Sequence, residues 1–148
     1  MKVNQLVLFN LGKETYAFPI SDIKEIIRFQ RISRMPDIPD YIEGMINLRG
    51  KIITVVNLGI LLDCQISGKL DDSMIMIEKS SGIGYIVDQV KEIRTVEEED
   101  MIPYADISGQ FGKTYVRYIA KIGDLVVPVI NTDEMLEQGA EEVTGSAS

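Results

Sequence analysis

Histidine is missing from this 148-residue chain, and cysteine occurs once. Histidine is the commonest general base and the orienting member of nucleophilic triads, so the usual machinery for proton transfer near neutral pH is lacking. The sequence also has no GxxxxGK[ST] phosphate loop, no GxGxxG segment and no paired cysteines with metal-ligand spacing. Its 23 acidic residues could form chance carboxylate pairs, but no motif selects one. We therefore expect a binding protein without a cofactor, not an enzyme.

Long hydrophobic runs are also missing. No stretch of 18 apolar residues could span a membrane, and the apolar segment at residues 6–9 is too short for the hydrophobic region of a signal peptide. These features predict a soluble protein that stays in the cytoplasm. The single cysteine, Cys64, cannot form an internal disulfide, and a small buried apolar side chain is a better interpretation of it than a nucleophile.

Basic residues are outnumbered, with 15 Lys and Arg against 23 Asp and Glu and a formal net charge of −8. Nucleic acids and anionic lipids attract clustered lysine and arginine, so neither is expected as the main partner. The acidic run at residues 97–100 lacks the spacing and the glycine-turned loop of an EF-hand. We interpret it as a solvated loop and predict no metal site.

The most informative stretch, residues 41–58, reads YIEGMINLRGKIITVVNL. Two short apolar runs flank Arg49-Gly50, and the β-branched run at residues 52–56 is too short and too branched for an ordinary helix. The pattern predicts a β-hairpin with Arg49 on its turn. There the guanidinium could meet a carboxylate or a partner's backbone, although a solvated turn arginine remains an alternative.

Similar patterns recur along the chain. Further hairpins are predicted for residues 5–11 with 15–20, 73–79 with 83–87, and 114–122 with 125–130. Single strands are predicted at 24–32 and 90–96, and brief helical segments at 21–23, 40–43, 57–63 and 132–138. Residues 64–72 form a polar linker and are the best candidate for a boundary in the chain.

The chain contains an internal repeat. Lys24-Glu25-Ile26 matches Lys91-Glu92-Ile93, and residues 52–57 match residues 126–131 in the same order. Two copies of a five-strand unit predict two small β-barrels packed as one domain with an apolar seam, and a single β-sandwich is the alternative. Approximate bounds are 15–70 for barrel one and 71–130 for barrel two, with terminal segments that can cross over and a flexible tail at 139–148.

The segment Gly44-x-x-Asn47-Leu48-Arg49-Gly50, with a KEI element before it and a second copy after it, resembles the CheW family, the coupling proteins of bacterial chemotaxis. The resemblance covers nearly the whole chain, although the family usually has proline at the position of Thr54 and aspartate at that of Asn57. It implies an all-β fold of two intertwined five-stranded SH3-like barrels with short helical turns and a short C-terminal helix.

The same resemblance implies a non-catalytic adaptor. Such proteins join the cytoplasmic tips of chemoreceptors to the regulatory domain of the histidine kinase CheA in membrane-associated arrays, where CheW copies complete rings. It implies an ion pair between Glu25 and Arg49 beside a receptor groove. The groove residues would be Ile23, Glu25, Ile26, Arg49, Gly84, Val87 and Val90. Kinase contacts would involve Ile52, Ile53, Val55, Ile102, Asp106 and Ile107.

Two alternatives stay open. For any single groove aliphatic, a plain core position is as good an interpretation as a binding position. The chain could also be a small-molecule or sensory binding module on the same barrel fold, which predicts a closed, ligand-sized cavity between the barrels.

Overall fold

A computed structural model describes residues 3–64, 66, 68–104 and 116–131 of the chain. Most of these residues form β-strands, some joined by tight turns and others by longer segments. The first strands are β1 (Val3–Leu11), β2 (Glu14–Pro19), β3 (Ile23–Arg28), β4 (Ile42–Leu48) and β5 (Lys51–Asn57). After the short helix α1 (Leu58–Leu61) come β6 (Met74–Glu78), β7 (Gly84–Val87), β8 (Gln89–Glu97), β9 (Met101–Pro103), β10 (Val116–Ile122) and β11 (Leu125–Ile130). Single 3₁₀ turns lie at Ile20–Asp22, Leu70–Asp72 and Glu98–Asp100.

The described strands assemble into two sheets. One has the order β3-β6-β7-β5-β4 and the other the order β8-β1-β2-β11-β10-β9. We call them the five-stranded and the six-stranded sheet, and the short β9 is the additional strand of the second. The prediction of an all-β fold with two small barrel subdomains is confirmed.

Each sheet combines strands from both copies of the repeat. The five-stranded sheet takes β3, β4 and β5 from the first copy and the β6–β7 hairpin from the second, and the six-stranded sheet is built the opposite way. The joins are the antiparallel pairs Ile26↔Met76 and Val7↔Ile93 and the parallel pairs Val55↔Gly84 and Val129↔Ala17. Because β6 and β7 lie in the sheet of β3 to β5, sheet membership does not follow the predicted division between residues 70 and 71.

The two sheets pack on each other through a shared apolar core. This seam contains Phe9 and Phe18 from the six-stranded sheet and Tyr85 and Val87 from the five-stranded sheet, all at most 1% exposed. The ring centroids of Phe9 and Phe18 lie 5.0 Å apart, and those of Phe18 and Tyr85 lie 5.7 Å apart. The first pair is stacked and the second is tilted, and aromatic pairs at this spacing contribute beyond their buried area. The predicted apolar seam is present.

Several local predictions need correction. Residues 40–43 do not form a helical turn, because β4 already begins at Ile42 and its partner β5 extends it. The strand predicted at residues 24–32 ends at Arg28, and the chain beyond it meets β4 at the isolated bridge between Ser33 and Met45. The predicted helix at 57–63 is shortened to α1. The predicted C-terminal helix at 132–138 and the tail at 139–148 lie outside the described residues.

The linker between the β5 and β6 regions is tied to the six-stranded sheet. Asp88, 8% exposed, accepts hydrogen bonds from the backbone N–H of Gly12 at 2.5 Å and of Gly68 at 3.3 Å.

Cys64 is half-buried and lies 3.2 Å from the hydroxyl of Tyr16. Burial, with the Cys64 contact next in weight, raises the pKa of Tyr16. Cys64 is thus a polar neighbour at the seam as well as a small packing residue.

Candidate interaction site

The turn between β4 and β5 has an unusual backbone. Arg49 and Gly50 both have positive φ, at 51° and 85°. Two consecutive residues with positive φ are the mark of a type I′ hairpin, whose twist matches that of the flanking strands. Asn47 Oδ1 accepts a hydrogen bond from the Gly50 N–H at 2.9 Å. The turn therefore holds Arg49 at the tip of the hairpin, where its side chain is 68% exposed.

Arg49 is not simply solvated. Its Nη2 atom donates to Oε1 of Glu25 on β3, and the Glu25 side chain is 29% exposed. Strands β3 and β4 lie at opposite ends of the five-stranded order, so this ion pair spans the opening of that sheet. The predicted pair of Glu25 and Arg49 is present. Since it is exposed, we expect it to position an interface more than to stabilise the fold.

A small hollow surrounds this ion pair. It has a volume of about 130 Å³ and is lined by Lys24, Glu25, Leu48, Arg49, Lys51, Ile53 and Ile77. All of these residues belong to the five-stranded sheet or its turns. Sites for drug-sized ligands usually enclose about 300–1,000 Å³. The hollow is therefore suited to a side chain of a partner rather than to a small-molecule ligand, and it does not lie between the barrels.

The predicted groove residues separate into two groups. Ile23, Ile26 and Val90 are half-buried and pack against the seam core, so each keeps exposed surface beside it. Gly84 is buried and Val87 has no exposed surface. In this conformation the side chain of Val87 is part of the core. The candidate groove therefore keeps Ile23, Ile26 and Val90 together with Glu25 and Arg49.

Sequence reasoning did not select two further isoleucines at this seam. Ile20 and Ile83 are half-buried and pack against the same core as Ile23. The backbone N–H of Lys79 donates to the carbonyl of Asp22 at 2.8 Å, which holds the 3₁₀ turn beside the β6–β7 turn. In the sequence these two isoleucines are marked only by their positions, Ile20 directly after Pro19 and Ile83 directly after the glycine of a turn.

Comparison with known proteins agrees with this geometry. The CheW-like domain family matches residues 5–140. The chain belongs to the CheW-like domain family. Its relatives include the chemotaxis protein CheW of Treponema pallidum, which is 30% identical over 88% of this chain and 81% of its own length. The corresponding protein of Thermotoga maritima is 27% identical over 93% of this chain and 91% of its own length.

A solved structure supports the same assignment. The scaffolding protein TtCheW from Thermoanaerobacter tengcongensis is similar with a TM-score of 0.79 and 34% identity. The alignment covers 87% of this chain and 89% of that one. The similarity covers most of the chain and therefore includes strands of both sheets.

The predicted kinase-contact residues of this CheW-like chain also separate by burial. Ile52 is 62% exposed on β5 and Ile102 is 43% exposed on β9, so both can meet a partner. Ile53 and Val55 are 4% and 0% exposed and pack in the core of the five-stranded sheet, because they alternate with Ile52 along the strand. Asp106 and Ile107 lie outside the described residues.

The two departures from the family pattern have different surroundings. Thr54 is half-buried and pairs with Met45 across the hairpin. Asn57 has a structural task at the strand exit, because its Oδ1 accepts from the Ile60 N–H at 3.2 Å and its Nδ2 donates to Glu43 at 3.0 Å. An amide serves both contacts, whereas an ionised carboxylate could serve only the first.

Among the described residues, no helix is long and apolar enough to cross a membrane.

Proposed function

We propose that this chain is a non-catalytic adaptor that couples the cytoplasmic tip of a chemoreceptor to the regulatory domain of the histidine kinase CheA. The observation that carries the proposal is the exposed Arg49–Glu25 pair at the opening of the five-stranded sheet of a CheW-like fold. Strand β3, which carries Glu25, also carries Ile23 and Ile26, and these two pack half-buried against the seam core. An adaptor of this kind works in the cytoplasm and is recruited to receptor arrays, where further CheW copies can join the rings.

The receptor would bind through the groove. Ile23, Ile26 and Val90 offer an apolar strip, and the apolar stripe of a receptor helix fits such a surface. Glu25 lies on the same strand as Ile23 and Ile26, so its pair with Arg49 would supply charge complementarity to the same partner. Such complementarity governs orientation and partner choice more than total affinity. The hollow around the pair can take one side chain of that helix.

The kinase would bind elsewhere on the barrels. Ile52 on β5 and Ile102 on β9 are exposed large aliphatics on different sheets. Exposed aliphatics of this size are candidates for the apolar centre of an interface. An adaptor needs two separate surfaces. Ile102 is distant from the groove residues along the chain, whereas Ile52 is only three residues after Arg49, and its exposed side chain faces the side of β5 opposite to that of Ile53, which lines the hollow.

The test is a pull-down with two fragments, the CheA regulatory domain and a receptor cytoplasmic tip. We expect the chain to retain both together. Arg49→Glu should reduce retention of the receptor tip at least about tenfold while the kinase domain is still bound, because only the groove loses its charge pattern. Lys13→Glu, an equal charge reversal on the exposed β1–β2 turn, is the matched control and should bind normally. Failure of the unaltered chain to bind either fragment would overturn the proposal.

A further inference from the structure

Strand β8 differs from the other described strands in its exposure. Five consecutive residues in it, from Lys91 to Thr95, are exposed. A strand that covers a core buries alternate side chains, so exposure of every residue means that both faces of β8 meet solvent here. Its repeat counterpart, β3, has only Lys24 and Arg28 exposed among its six residues.

One edge of β8 is paired, with β1, in the antiparallel register that sets Val7 opposite Ile93. Strand β8 ends the order of the six-stranded sheet, so its other edge has no strand beside it within the described residues. The backbone groups of an edge strand are a template for pairing with another chain. Charged side chains on an edge strand commonly discourage such pairing.

The charges of β8 are ordered so that they complement a second copy of the same strand. The sequence Glu92-Ile93-Arg94 places an acid and a base on either side of an isoleucine that is 55% exposed. If two copies pair antiparallel about Ile93, Glu92 lies opposite the partner's Arg94, and Arg94 lies opposite the partner's Glu92. The two isoleucines then face each other on the other side of the strand. Opposite charges and apolar pairs directly across two strands stabilise their pairing.

Within one chain Glu92 and Arg94 already lie together. Arg94 Nη1 and Glu92 Oε1 are 3.2 Å apart, and the two side chains are 47% and 45% exposed for Arg94 and Glu92. The two charges therefore share one face of β8, and the two-fold arrangement would continue them into a ladder of alternating sign across the dimer. This ladder needs no rearrangement of the strand.

We propose that β8 is a homodimerisation edge, on which a second copy of this chain adds its own β8 antiparallel about Ile93. The inference does not depend on the coupling of receptor and kinase. A contact made by one short strand is smaller than a standard interface of about 1,600 Å², so the dimer is weak and the measurements run to about 1 mM protein.

Charge reversal tests the register. Sedimentation equilibrium of the full chain should show a monomer of 16.6 kDa passing to a species of twice that mass as concentration rises. Arg94→Glu or Glu92→Arg alone sets like charges opposite each other at both ends of the contact, and should weaken the dimer at least about tenfold. The double variant Glu92→Arg with Arg94→Glu restores opposite charges and should recover the dimer. Lys13→Glu, with the same change in net charge as Arg94→Glu, should dimerise like the unaltered chain.

Cross-linking tests the geometry independently. In a Cys64→Ser background, Ile93→Cys places two thiols opposite each other, with Cβ atoms about 4.5–5.5 Å apart, which is near the spacing that a disulfide needs. Mild oxidation should yield a covalent dimer at least about tenfold faster than Lys13→Cys in the same background. A chain that stays monomeric to about 1 mM would overturn the proposal, as would a dimer that the single reversals leave intact.

Discussion

Arg49 donates a side-chain hydrogen bond to Glu25 across the opening of the five-stranded sheet. The two residues are separated by 24 positions, and one sits on a type I′ turn while the other sits on an edge strand. The pair is exposed, so its loss should affect the fold little and the interface strongly.

Because of the backbone conformation of Arg49, a substitution there can weaken binding without lowering the stability of the fold. Its φ of 51° suits asparagine better than arginine, and Asn-Gly is the preferred pair in a type I′ turn. Arg49→Asn should therefore keep or raise the melting temperature while it weakens binding of the receptor tip. Thermal melts by circular dichroism and the pull-down, run on the same preparation, measure both. A loss of more than about 2 kcal/mol of stability would instead show that Arg49 is structural.

Gly44 permits the close approach of β4 to the chain beyond β3. Its φ is +144°, and a Cβ at this position would lie 2.2 Å from the carbonyl oxygen of Ser33. Gly44→Ala should therefore cost more than about 2 kcal/mol in the free energy of unfolding, because the backbone must move. Urea denaturation measures the cost.

Gly123 supplies the control for Gly44. It also has a positive φ, of +60°, but a Cβ there would meet nothing within 4 Å. Gly123→Ala should cost only the conformational strain, on the order of 1–2 kcal/mol. Equal losses at the two positions would mean that the contact with Ser33 adds nothing.

Asn57 should not tolerate replacement by aspartate. Its Nδ2 donates to Oε1 of Glu43 at 3.0 Å, and an ionised aspartate would put two carboxylates together there. Asn57→Asp should destabilise the protein by about 1–3 kcal/mol at pH 7, measured by urea denaturation. Adding Glu43→Gln should restore most of the loss, because glutamine can donate to the new carboxylate. If the double variant is no more stable than Asn57→Asp alone, the contact with Glu43 is not the cause.

Tyr85 should make the protein sensitive to alkali. It is 1% exposed, and burial, followed by the negative charge of Glu78, raises the pKa of its hydroxyl above the ordinary value near 10. Above pH ~10 the unfolded chain loses this proton while the folded chain keeps it, so stability falls as pH rises. Below pH ~10 the hydroxyl of Tyr85 is protonated in both the folded and the unfolded chain, so this loss of stability is absent.

The quantity to measure is the slope with which the free energy of unfolding falls as pH rises. Each such group contributes up to about 1.4 kcal/mol per pH unit. Tyr85→Phe removes one titrating group, so its urea midpoint should decline less between pH ~10 and ~11.5 than that of the unaltered chain. Parallel declines in the two proteins would contradict the assignment.

Much of the local structure could be predicted from the sequence. The β-branched run after Gly50 predicts a strand, and the hairpins at both ends of the chain lie where apolar runs flank turn residues. The resemblance to the CheW family supplied the Glu25–Arg49 pair. The extension of β4 to Ile42 could not be predicted, because pairing with β5 outweighs the capping preference of Asp40.

Burial was the least predictable property of the candidate site. Ile52 and Ile53 are adjacent and chemically identical, yet one is 62% exposed and the other 4%. The alternation of a strand requires that they face opposite sides, but it does not say which side is covered. The same uncertainty led to the selection of Val87, whose side chain lies in the seam core.

The sequence by itself determined the strands, the turns and the doubling of the unit, because period-two patterns and turn residues act over a few positions. Only the tertiary structure decided which strands share a sheet. The two copies carry similar strands, so β3 could in principle pair with the hairpin of either copy, and it lies against β6 of the second. The choice depends on packing between sheets across the seam, where residues distant in the chain exclude water together.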